Sequence, residues 1–97
     1  MRAILIKEPS PFFSQHDEDV FFEWIEYIDA VKEVVGAKSG LEIKIDEGIK
    51  DEDLMELISL FSRYSIDMKC LRSFCNPNNE VWFKDKSKYW YDLVFGA

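Results

Sequence analysis

Hydrophobic and polar positions recur along this chain with two different periods, and the changes of period mark the predicted elements. Arg2–Lys7 is a short apolar run, typical of a strand buried on both faces, and the prolines after it predict a loop over Glu8–Gln15. From Asp17 the period is helical, so we predict a helix over Asp17–Ala30 with Asp17 as its N-cap. The apolar stripe of this helix consists of Phe21, Trp24, Ile25 and Ile28.

The middle of the chain predicts a β-hairpin. Leu41–Ile45 alternates apolar and charged residues with the strand period of two, and Gly36, Ser39 and Gly40 supply turn residues before it. Val31–Val35 contains three valines and is predicted to be the other strand of the hairpin. The same five residues could instead extend the preceding helix.

The clearest helical pattern covers Asp51–Tyr64, where Asp51 is the expected N-cap. Its apolar stripe consists of Leu54, Leu57, Ile58 and Phe61. After it, Asp67–Phe74 is predicted to be a fourth strand, and Asn76–Asn79 is a turn cluster.

The last part of the chain is rich in aromatic residues. A short extended piece is predicted at "EVWF", and a helix over Lys86–Phe95 is predicted to end at Gly96. The rings of this tail could form core, an exposed contact site or a platform on which bases stack. We expect the tail to pack on the body of the protein, with Trp90 mostly buried.

The predicted order is β-α-β-β-α-β followed by the aromatic tail, within a single domain of residues 1–97. Two helices on one face of an antiparallel sheet make an α+β ferredoxin-like plait, a two-layer sandwich. A barstar-like α/β arrangement is the alternative. We further expect the first and third strands to lie side by side and to run parallel.

Charge favours a protein partner over nucleic acid. The formal net charge is −7 and the pI is about 4.6, so phosphate backbones are repelled. A positively charged protein fits this field, because opposite fields accelerate encounter. The sequence has no apolar run long enough for a membrane span, and its N-terminus does not resemble a secretory signal, so we expect a cytoplasmic protein that does not bind membranes.

Candidate catalytic residues are few. The chain has one histidine, His16, and two cysteines, Cys70 and Cys75, which we expect to be reduced. The four scattered glycines do not form a phosphate-binding loop, and the acidic clusters do not match the spacing of a calcium-binding EF-hand. We therefore predict no enzyme activity, no metal and no cofactor. The alternative is a small enzyme or ligand-binding domain with a pocket between sheet and tail.

The carboxylates are more informative as a distribution. If the first and third strands run parallel, the loops that leave them open on one edge and place the following helix starts on one acidic rim. Part of this pattern is ordinary helix-start chemistry, because carboxylates stabilise the positive end of the helix dipole. The predicted partner-binding residues of the rim are Asp17, Glu18, Asp19, Asp46, Glu47, Asp51, Glu52 and Asp53. Phe12, Phe13 and Phe22 are candidate apolar anchors beside it.

Two tracts in the second half, "LISLFSRYSIDMKCLRSF" and "WFKDKSKYWYDLVFG", resemble small immunity proteins of bacterial toxin systems. Those systems include contact-dependent growth inhibition and related polymorphic toxins, and "FFEWIEYIDAVKEV" adds support. The resemblance implies a cytoplasmic protein that binds one cognate toxin domain and blocks it. A nuclease toxin would fit, because its active site must attract phosphate. The resemblance carries over no contact residue.

Overall fold

A computed structural model of the chain describes residues 1–7, 12–38 and 40–96. They form a small α+β domain in which helices pack on one face of a three-stranded sheet. The elements in chain order are β1 (Arg2–Ile6), α1 (Gln15–Tyr27), β2 (Val31–Ala37), β3 (Gly40–Ile45), α2 (Asp51–Arg63), a 3-10 helix (Lys69–Phe74), α3 (Glu80–Phe83) and α4 (Tyr91–Phe95). Of the predicted first loop, residues 8–11 lie outside the described residues, as does Ser39, which was predicted to be a turn residue.

The sheet has the order β1-β3-β2, and both pairs of strands are antiparallel. In the first pair Ile6 lies opposite Leu41 and Arg2 lies opposite Ile45. The expectation that the first and third strands run parallel was therefore wrong. The hairpin reverses the chain between β2 and β3, and α1 returns it so that β2 runs parallel to β1, which leaves β3 antiparallel to both. A barstar-like α/β arrangement with parallel neighbours is not observed in the described strands.

The sheet is covered on one face. Ile4 and Ile6 of β1 are buried, whereas Leu5 between them is 56% exposed. The prediction that β1 is buried on both faces was wrong, because a short apolar run does not reveal whether alternate residues have a second layer to pack on. The predicted strand Leu41–Ile45 is confirmed, with Leu41, Ile43 and Ile45 pointing into the core.

Helices α1 and α2 each have a different N-cap residue from the one predicted. The Oγ of Ser14 accepts a hydrogen bond from the Asp17 backbone N–H, and Asp17 in turn accepts from the Phe13 N–H. This is a reciprocal capping arrangement in which Ser14, not Asp17, is the N-cap. At α2 the N-cap is Lys50, which makes no side-chain cap bond, and Asp51 is the first helical residue.

The two long helices lie antiparallel on the sheet. The Tyr64 hydroxyl donates to the Asp17 carbonyl at 3.4 Å, and the Trp24 indole N–H donates to Glu56 at 2.9 Å. Their buried faces meet the sheet in one core that includes Phe21, Ile25, Leu57 and Phe61. The start of α1 therefore lies beside the end of α2.

The predicted fourth strand is not formed. Lys69–Phe74 is a 3-10 helix that buries Leu71 and Phe74, and Met68 before it is also buried. Burial at every third residue is the period of a 3-10 helix. "EVWF" is likewise helical rather than extended, as α3. The last helix begins at Tyr91 rather than Lys86.

The six aromatic residues of the tail form one chain of ring contacts, with neighbouring centroids 5.0–6.1 Å apart. Phe83, in the middle of this series of contacts, is fully buried, and Trp90 is partly buried against the core. The tail therefore packs on the body of the protein as expected. The Trp90 indole donates to the Phe83 carbonyl at 2.7 Å, and Arg72 donates to the carbonyls of Val94 and Gly96. The rings in contact order are Tyr89, Trp90, Trp82, Phe83, Phe95 and Tyr91.

Candidate functional site

The residues of the predicted acidic rim lie in two groups at opposite ends of the helical layer. Asp17 is beside Tyr64 at the end of α2, whereas Asp53 accepts a hydrogen bond from the Ala30 N–H after the end of α1. Eleven helical steps separate Asp53 from Tyr64, which is roughly 16 Å. The antiparallel pairing of β1 and β3 causes this separation, and the prediction of a single shared rim was wrong. One group is Asp17, Glu18 and Asp19, and the other is Asp46, Glu47, Asp51, Glu52 and Asp53.

Several of these carboxylates have structural partners. Asp46 closes its own turn by accepting from the Gly48 N–H at 3.0 Å, and Asp53 ties α2 to the start of β2 through Ala30 at 3.2 Å. Glu47 lies 3.6 Å from the amino group of Met1. Asp51 and Glu52 are exposed, as is Asp19, which is bonded only to the Gln15 side chain. Asp19, Asp51 and Glu52 are therefore the members that are free to meet a partner.

A row of exposed carboxylates along α1 joins the two groups. Asp19, Glu23 and Glu26 have the spacing i, i+4 and i+7, so they lie on one face of the helix. Asp29 follows just after the helix ends and is also exposed. We call these four residues the acidic strip. Over its length of about 20 Å, α1 carries five carboxylates and no lysine or arginine.

Helix-start chemistry does not account for the acidic strip. Carboxylates near a helix N-terminus are favourable, but Glu26 is in the last turn of α1, where the helix dipole favours a positive charge and none is present. Asp19 also repels Glu23, and Glu23 repels Glu26, at about 0.2–0.5 kcal/mol for each pair. The strip therefore opposes the stability of its own helix, which is a common property of surfaces kept for binding.

A surface depression of about 220 Å³ lies where the strip reaches the start of α2. Asp29, Asp46, Glu52 and Asp53 line it together with Lys32 and Lys50. The four carboxylates outnumber the two lysines, so the depression is negatively charged and suits a lysine or arginine side chain of a partner. It does not lie between sheet and tail, where the ligand-binding alternative expects a pocket.

The structure separates the three candidate apolar anchors. The rings of Phe12 and Phe22 pack against Phe21 with centroids 5.6 and 5.1 Å away, so both help to form the core. Phe13 is 91% exposed and remains available. Tyr27, the last residue of α1, is 74% exposed and was not identified from the sequence. Its position four residues after Glu23 was the signal that could have placed it beside the carboxylate row.

The thiols are poorly suited to nucleophilic chemistry. Burial raises the pKa of the Cys70 thiol to about 11, with the Asp67 carboxylate adding to the effect, and burial also raises the pKa of Cys75. Both therefore stay protonated and unreactive at neutral pH. Within residues 1–7, 12–38 and 40–96, no cluster of three histidine, cysteine or acidic side chains is arranged to hold a metal. No helix in the same ranges is long and apolar enough to cross a bilayer.

Comparison of the chain with models of protein families, with curated proteins and with solved structures finds no match.

Proposed function

We propose that this protein is an immunity protein, which binds a cognate bacterial toxin domain with a basic surface and neutralises it. The toxin that fits best is a nuclease. The observation that carries the proposal is the acidic strip, since Glu23 and Glu26 are exposed, unpaired by any basic residue of α1 and unfavourable for the helix. The resemblance of the second half to immunity proteins and the net charge of −7 point in the same direction.

The strip suits inhibition by occupation of a phosphate-binding surface. A nuclease must hold lysine and arginine side chains around its substrate, and a row of carboxylates on a rigid helix presents those side chains with alternative partners. Long-range attraction accelerates the encounter, and the bound helix then keeps nucleic acid out. This mechanism needs no catalytic group on the inhibitor.

We infer that the scaffold is a ferredoxin-like plait without its fourth strand. The order β-α-β-β-α and the sheet order β1-β3-β2 support this topology, and the 3-10 helix Lys69–Phe74 follows α2 where the fourth strand would begin. Such a scaffold holds α1 at the outside of the molecule, with its acidic strip facing solvent.

Co-expression tests the proposal. The probe is the C-terminal domain of the toxin encoded by the neighbouring reading frame, expressed in a bacterium that it kills. We expect this protein to restore growth and to form a complex with the toxin domain on gel filtration. The double variant Glu23→Lys, Glu26→Lys should fold but protect poorly, because it reverses the charge of the strip. Failure of the natural sequence both to protect and to form the complex would overturn the proposal.

A further inference from the structure

An unpartnered aromatic side chain lies near each end of α1, on either side of Asp19, Glu23 and Glu26 in the chain. Phe13 directly precedes the N-cap Ser14 and is 91% exposed, and Tyr27 ends the helix and is 74% exposed. Neither side chain has a hydrogen bond or a ring partner among the described residues. Other large apolar side chains are exposed elsewhere on the molecule, and what distinguishes Phe13 and Tyr27 is that both are aromatic and flank the exposed carboxylates of α1.

Phe13 occupies a position that has a structural use in other helices. The residue before an N-cap often packs on the residue four places into the helix and so fixes the entry of the chain. Here that residue is Glu18, and the Phe13 ring stays exposed. The backbone of Phe13 is nevertheless fixed, because its N–H donates to Asp17 at 3.0 Å. The ring is thus attached at a fixed point of the backbone and extends into solvent.

We infer that Phe13 and Tyr27 are the apolar anchors of the toxin interface and set the lifetime of the complex, whereas the strip between them sets the rate of encounter. The inference rests on the proposed function and names the chemistry of the partner. The occupant is a basic protein surface with lysine or arginine opposite Asp19, Glu23 and Glu26, and with an apolar recess for each ring. Charge complementarity selects this occupant, because a second copy of the chain would bring like charges together.

The two roles separate in kinetics. Buried aromatic anchors govern dissociation, and charges outside the desolvated centre govern association. We expect Phe13→Ala with Tyr27→Ala to raise the dissociation rate of the toxin complex at least about tenfold and to leave the association rate within about twofold. Tyr27→Phe should keep the natural lifetime, since the ring is retained. The readout is surface plasmon resonance with the toxin domain from the neighbouring reading frame.

Matched controls come from exposed side chains elsewhere. Val81 is 85% exposed and Tyr89 is 62% exposed, and both lie in the C-terminal region, so Val81→Ala and Tyr89→Ala should leave both rates unchanged. If the Phe13, Tyr27 double variant dissociates as slowly as the natural protein, these two residues are not the anchors of the interface. The complex itself would still support the proposed function. If the natural protein shows no binding at all, the proposed function and the anchors fail together.

Discussion

Ser14 fixes where α1 begins. Its Oγ accepts from the Asp17 N–H at 3.1 Å and satisfies a backbone donor that the helix leaves free. We expect Ser14→Ala to lower the free energy of unfolding by about 1 kcal/mol, as measured by urea denaturation. Ser59→Ala, at an exposed position inside α2, is the control and should be neutral or slightly stabilising. Equal losses at both positions would contradict the assignment of the cap.

Gly40 is required by its backbone and by its neighbour. Its φ is +154°, and a Cβ at this position would collide with the Ile6 carbonyl of the adjacent strand. We expect Gly40→Ala to cost more than about 1 kcal/mol of unfolding free energy in the same measurement. Gly36 has open space where a Cβ would stand, so Gly36→Ala is the matched control and should change little. A tolerant Gly40 would mean that the two strands can separate there.

Residue identity predicts caps only partly. Ser14 and Asp17 are both good N-cap residues three positions apart, and the choice between them depends on which side chain reaches the free N–H groups. At α2 the cap is Lys50, which uses no side-chain bond, so its sequence contains no signal to detect. The apolar stripes were unaffected by these errors, because they depend on periodicity over several turns.

At the scale of elements, repulsion between the carboxylates of the acidic strip lowers the stability of α1. Replacing Glu23 by lysine would remove repulsion from Asp19 and Glu26 and create two attractive pairs in its place. We expect Glu23→Lys to raise the free energy of unfolding by about 1 kcal/mol while weakening binding to the proposed toxin partner. Chemical denaturation and a binding titration on the same sample check the two effects. A variant that gains stability and binds normally would exclude the strip as the interface.

The C-terminal tail is held by its central ring. Phe83 is fully buried between Trp82 and Phe95, whereas Trp90 is partly exposed. We expect Phe83→Ala to cost about 3–5 kcal/mol and Trp90→Ala to cost about 3 kcal/mol, at the lower end of this range. Urea denaturation checks both. A loss below about 1 kcal/mol for Trp90→Ala, with weaker toxin binding, would show that this ring serves the partner rather than the fold.

Long periodic elements were predictable and short ones were not. Helices α1 and α2 and strand β3 each repeat their pattern several times, so their type followed from the sequence. Lys69–Phe74 has only six residues, and burial at Met68, Leu71 and Phe74 can be distinguished from a strand only when the packing partners are known. The tail helices are shorter still, and the interlocked rings, rather than local propensity, stabilise them.

At the scale of the whole molecule, topology decided where the candidate site lies. The eight residues of the predicted rim were named from the sequence, whereas Glu23, Glu26 and Asp29 of the acidic strip were not. The grouping of all these carboxylates depended on the relative direction of β1 and β3, which no local pattern specifies. Antiparallel pairing moved Asp17–Asp19 away from Asp46–Asp53. Because of this pairing, the two acidic groups are joined along the outer face of α1. They do not meet at the edge of the sheet.

The rate of association with the proposed toxin partner tests the binding role of the acidic strip most directly. The strip variant Asp19→Asn, Glu23→Gln, Glu26→Gln removes three negative charges, and the control Glu42→Gln, Glu80→Gln, Asp92→Asn removes three elsewhere. Stopped-flow measurements over a range of salt concentrations compare each with the natural protein. We predict that the strip variant associates about tenfold more slowly at low salt and depends less on salt, while the control changes by less than about twofold. Equal effects of the two variants would contradict a specific binding role for the acidic strip, since net charge alone would then explain the rate of association.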